Sequence, residues 1–136
     1  MTALSADRNT PQRSGDRRRF PVAAATIIYA GAQVAVNAAG NAVPVSTALG
    51  LTGVGRAERR ADNSAGAAGD VDVDVSAGIF RFANSAAADA ITQADIGSDC
   101  YGVDDQTVAK TDGTGTRSAV GKVFDVDADG VWVKFS

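Results

Sequence analysis

Asp70-Val71-Asp72-Val73-Asp74-Val75 alternates carboxylates with branched apolar side chains without interruption. A pleated strand turns successive side chains to opposite faces, so the valines fall on one side of this stretch and the aspartates on the other. It reads as a half-buried β-strand with a solvated acidic face. Gly78 then permits a bend, and Ile79-Phe80-Arg81-Phe82 resumes the alternation with its face shifted. Upstream, Ser64 to Gly69 is a loop of small residues. Before it, Leu49-Gly50-Leu51-Thr52-Gly53-Val54-Gly55 has the glycine density of a curved strand or a close backbone approach.

The pattern extends in both directions. Val34-Ala35-Val36 and Val43-Pro44-Val45 flank Ala38-Ala39-Gly40-Asn41, a hairpin signature. Pro44 cannot donate to a ladder, which places its strand at an edge or a bulge. Phe20-Pro21-Val22 and Thr26 to Tyr29 are earlier strand pieces. Strands return at Asp99 to Val103, Thr107 to Lys110, Ser118 to Val126 with Gly121 inside, and Val131 to Phe135. Asp104-Asp105, Asp112-Gly113 and Asp129-Gly130 are the turns between them. Asn84 to Asp95 is the helix candidate, one or two turns long, with Ser85 as its cap and Ala87, Ala90, Ile91 and Ala94 along one stripe. The expected fold is mostly β: a small β-barrel or β-sandwich with one short helix and an extended N-terminal arm. Residues 1–19 form the basic arm and residues 20–136 the β-rich domain.

Composition agrees. Valine and isoleucine number 21 against three leucines, and fifteen aspartates with fifteen glycines supply turns. The core is thin, because Leu, Ile, Val and Phe make up only 29 of 136 residues while 27 are alanine. Cys100 is the one cysteine, so no intrachain disulfide adds to that core. A lone subunit is expected to be marginal and to gain from assembly.

The chain has no histidine and three lysines, and so lacks most of the usual general bases and activated nucleophiles. No enzyme activity, catalytic residue or cofactor is expected. Asp125-Val126-Asp127-Ala128-Asp129-Gly130 matches the opening of a calcium loop, but the twelfth position is Ser136 instead of a bidentate glutamate, and the flanks read as strands. A hairpin turn is expected there and no metal. Asp70, Asp72 and Asp74 stand about 7 Å apart along one face, a spacing that any alternating strand produces. The glycines at 50 to 55 lack the lysine and helix of a phosphate loop. Cys100 reads as a small buried residue.

Val22 to Ala35 is apolar but too short to span a bilayer, and it follows an arginine cluster; no secretion signal, anchor or membrane contact is expected. Charge is uneven: residues 1–60 carry +5 and residues 61–136 carry −8. The net −3 argues against bulk nucleic-acid binding. Arg13, Arg17, Arg18 and Arg19 form the strongest contact group, since guanidinium forks grip carboxylates and phosphates alike. Phe20 stands alone beside them, without the interleaved aromatics that stack nucleic-acid bases.

Arg8-Asn9-Thr10-Pro11, Pro21-Val22-Ala23-Ala24, Ile28-Tyr29-Ala30-Gly31-Ala32 and Gly50-Leu51-Thr52-Gly53-Val54-Gly55 together resemble the small bacteriophage head proteins of the capsid decoration, or cement, type. Ile91 to Gly97, Tyr101 to Ala109, Val120-Gly121-Lys122-Val123 and Gly130-Val131-Trp132-Val133 are similar to the closing strands of such proteins. The resemblance implies a noncatalytic virion protein, made in the bacterial host cytoplasm, that binds the outer surface of the head. Its partners would be the major capsid protein and, as a homotrimer, itself. Arg13, Arg17, Arg18, Arg19 and Phe20 are the expected capsid-contacting residues. The alternatives are another virion part, such as a head fibre base or tail component, and a nucleic-acid-binding module using the arginine arm.

Overall fold

Val73 and Val75 are buried at 1% exposure, while Asp72 and Asp74 lie on the opposite face, as alternation requires. The computed structural model describes residues 2–135. Among these, 44% are in strands. In chain order the strands are β1 (Arg17–Pro21), β2 (Thr26–Ile28), β3 (Gln33–Val36), β4 (Ala42–Pro44), β5 (Thr52–Ala57) and β6 (Ala61–Asn63). They continue as β7 (Asp72–Ser76), β8 (Gly78–Asn84), β9 (Asp99–Gly102), β10 (Thr107–Ala109), β11 (Ala119–Asp127) and β12 (Gly130–Phe135).

The first half builds an antiparallel sheet in the order β1-β7-β5-β3-β4, with β2 and β6 paired beside it. Pro44 sits on the edge strand β4, where its missing donor costs no ladder bond. A bridge between Val22 and Ala42 brings the chain beyond β1 back to β4, so this sheet nearly closes on itself. The second half is a closed barrel, β10-β8-β12-β11-β9, with β12 held between β8 and β11. Its pairs are antiparallel except β10 with β8. Closure removes the exposed edges that a five-stranded sheet would otherwise present.

The chain crosses from sheet to barrel at Gly78, whose φ of 147° lies where side chains are strained. There the inward face changes from Val73 and Val75 to Phe82. Val22, Ile28, Val34, Val54, Val73 and Val75 fill the first core. Phe82, Ile91, Cys100, Val108, Val131, Val133 and Phe135 belong to the second, where Phe82 meets Phe135 edge to face at 6.1 Å. Ala35 and Val45 of the first half also belong to the barrel core. Gln33, fully buried on β3, donates through Nε2 to the carbonyls of Asp104 at 2.6 Å and Thr107 at 3.0 Å. On β5, a Cβ at Gly53 would lie 2.1 Å from the Val120 carbonyl oxygen, so glycine permits β5 to press against β11.

The expected helix over Asn84 to Asp95 does not form. Two single 3₁₀ turns stand there, Ala87–Asp89 and Gln93–Asp95. Asn84 binds both backbone groups of Ile91, its Nδ2 donating to the carbonyl and its Oδ1 accepting from the N–H, each at 2.9 Å. That grip draws Ile91 into the barrel core and divides the segment, whose remaining small residues have little to bury. Ala87 at φ 55° breaks helical geometry outright. Ser85 caps nothing; its hydroxyl donates to the Val108 carbonyl at 2.9 Å. The arm is also shorter than expected, because Arg17, Arg18 and Arg19 lie in β1 and no strand precedes them among the described residues.

Candidate functional site

Strand β1 is built from the arginine cluster itself. It pairs antiparallel with β7, setting Arg17 opposite Ser76, Arg18 opposite Val75, Arg19 opposite Asp74 and Phe20 opposite Val73. Alternation then divides the candidate contact residues between two faces. Arg18 and Phe20 share the inner face with Val73 and Val75; Phe20 packs against the first core, and the Arg18 guanidinium lies 5.1 Å from its ring centroid. Arg18 Nη2 also donates to the Val54 carbonyl at 3.4 Å. Arg17 and Arg19 point outward and are exposed.

Arg19 Nε donates to Asp74 Oδ1 and Arg59 Nη2 to Asp74 Oδ2, both at 2.9 Å. The hydrogen bond from Arg19, reinforced by the charges of Arg19 and Arg59, holds the Asp74 carboxyl below its ordinary range. The acidic face read as solvated is thus partly occupied by guanidinium groups. Glu58 is also held low, first by a hydrogen bond from Ser76 and then by Arg56, which donates to it at 2.9 Å. Among the described residues, the ion pairs of this region leave out Arg13, Arg17 and Arg18. The cluster borders an open depression of about 530 Å³ that also meets Glu58, Asp74 and Val75.

Arg13, which precedes the strand, lines this depression together with Arg17 and Arg19 from the outer face and Arg18 and Phe20 from the inner one, although Phe20 spends much of its ring on the core. Sequence reasoning missed Arg59 and Glu58 as neighbours of this cluster. The Arg59-Arg60 pair was visible, but only the pairing of β5 with β7 carries that segment to Asp74.

The other motifs resolve into structure. Asp127 Oδ1 accepts from the N–H groups of Asp129 at 2.8 Å and Gly130 at 3.1 Å, and Oδ2 accepts from Trp132 Nε1 at 2.9 Å. This carboxylate closes the β11–β12 hairpin. Among the described residues no group of three or more histidine, cysteine or acidic side chains is placed to hold a metal. Cys100 is fully buried, and desolvation pushes its thiol up to about 12. No described helix is long and apolar enough to cross a membrane.

Fold and surface together define a two-part β protein with a cationic strand at a sheet edge, bordering an open depression. No family model, curated protein or solved structure matches the chain.

Proposed function

We propose that this chain is a noncatalytic virion structural protein that decorates the outer surface of a phage head and stabilises contacts between major capsid proteins. The observation that carries the reading is the junction of arm and edge strand. Residues 2–16 contribute no strand to either sheet, and they lead directly into β1, where Arg17 and Arg18 make no ion pair among the described residues. A segment that adds little to its own fold gains order by lying along a neighbour, and guanidinium forks give that contact strength and direction. The sequence resemblance to cement proteins points the same way. Exposed Leu49, Ile96 and Phe124 offer further apolar surface for a homotrimer or for the shell. Repetition over an icosahedral surface turns weak single contacts into a firm coat.

Heads assembled without this protein, then incubated with the purified chain, test the reading. The chain should co-sediment with the heads, appear as outer density in an image reconstruction, and raise their resistance to heat and low salt. Bare heads that take up none of it, or that survive as well without it, would refute the proposal.

A further inference from the structure

β1 pairs with β7 on one edge; on the other, β4 reaches only Val22 and Ala23 just beyond it, and Arg17–Pro21 carry no partner strand. Val22 N–H donates to the Val71 carbonyl at 2.9 Å, and the Asp16 carbonyl accepts from Ala77 N–H at 2.9 Å. The even-numbered residues of this segment therefore turn their backbone groups towards β7. Ala23 N–H donates the opposite way, to the Ala42 carbonyl at 3.0 Å, which fixes the odd-numbered residues on the other edge. The N–H and C=O of Arg17 and Arg19 accordingly face the side of β1 that carries no strand. Side chains follow the same parity: Arg17 and Arg19 stand on the outer face, Arg18 and Phe20 on the inner one.

The occupied edge displays what this strand accepts. β7 sets Asp74 opposite Arg19 and Val73 opposite Phe20, with Ser76 opposite Arg17, Val75 opposite Arg18 and Asp72 opposite Pro21, so its aspartates share the outer face with Arg17 and Arg19 and its valines the inner face with Arg18 and Phe20. An added strand on the open edge would meet the same two faces, with Arg17 and Arg13 not yet paired to carboxylates. We infer that the open edge of β1 binds, as an added β-strand, an extended polypeptide segment in which acidic and apolar residues alternate.

Charge excludes the simplest self-pairings. A second copy of β1 would set arginine against arginine, and the arm of a second copy carries Arg8 and Arg13. The other sheet edge, β4, is three uncharged residues ending in Pro44. The chain's own acidic and apolar strand, β7, is already paired on both edges by β1 and β5, so the segment is assigned to a different protein. Nucleic acid fits less well, since phosphates accept from N–H groups but leave the Arg17 and Arg19 carbonyls unmet, and Asp74 and Glu58 border the same depression. The inference rests on the decoration reading only for the source of the segment, a surface strand or loop of the capsid protein; the chemistry of the edge stands apart from it.

A labelled, end-capped Asp-Val hexapeptide of three repeats tests it by fluorescence polarisation with the full chain. It should bind, and its Lys-Val counterpart should not. Two further peptides carry N-methyl groups, one at every aspartate and one at every valine. Only one set of amides can face β1, so one methylated peptide should lose binding and the other keep it. Arg17→Glu, whose side chain is exposed and unpaired, should weaken binding about tenfold or more while leaving the circular dichroism unchanged. Equal behaviour of the two methylated peptides, or displacement of the hexapeptide by a DNA duplex, would overturn the inference. Heads decorated normally by an Arg17→Glu chain that no longer takes up peptide would exclude the capsid protein as the segment's source, with the decoration reading and the edge chemistry both intact. Wild-type chain that binds the peptide yet ignores bare heads would instead sink the decoration reading and leave the edge preference standing.

Discussion

Asp127 shows how one carboxylate can serve a turn, a strand and a ring at once. It satisfies two backbone donors of the β11–β12 hairpin and receives the indole N–H of Trp132, the one tryptophan in the chain. These bonds, the one from Trp132 largest, hold its carboxyl below the ordinary 3.8. A depressed carboxyl contributes stability that is present above its unfolded value and lost as the pH falls through the folded one. Trp132 emission is therefore expected to stay constant from neutral pH down to about 4 and to change only below it, whereas Asp127→Ala shifts it already at neutral pH and abolishes the acid change. A midpoint near neutrality would contradict this account. The hairpin was legible at this scale, because the acidic run lacked the final ligand of a calcium loop and lay between apolar alternations. The role of Trp132 was not, since nothing local ties an indole to a residue five positions earlier.

The strands that sequence located best are those with period-two alternation, β7 above all, and the β3–β4 hairpin with its edge proline. The helix was lost because periodicity in alanines carries little burial, while Asn84 and Ile91 secure a tertiary arrangement that outweighs it. The cationic cluster was seen in composition, but its division into an inward pair and an outward pair required the register with β7. β5 yields the prediction at this scale. Gly53→Ala would drive a methyl group against the Val120 backbone, with an expected cost on the order of 1–3 kcal/mol, read as a lower urea midpoint. Gly15→Ala, with open space around it, should change the midpoint by less than about 0.5 kcal/mol. Equal midpoints for the two variants would mean that β5 and β11 are not in close apposition.

The two halves are joined by a seam that includes Gln33 and Ala35 on β3 and Gly53 on β5. Closure of the barrel was one of two expected outcomes, and a single chain could not decide between them, because the parallel pairing of β8 with β10 joins segments far apart in sequence. Gln33→Met would leave the carbonyls of Asp104 and Thr107 without their side-chain donor, at a cost on the order of 1–3 kcal/mol. Because the cores interlock, Trp132 fluorescence, which sees the barrel, and far-ultraviolet circular dichroism, which sees both sheets, should report one coincident urea transition in the wild type. Two separated transitions would show that the halves fold independently. The position of β12 between β8 and β11 carries a further consequence. The last-translated of these strands is the one its neighbours need on both sides, so a ribosome-bound nascent chain cannot complete its barrel until Phe135 has cleared the exit tunnel, and folding is committed only after synthesis of the whole domain.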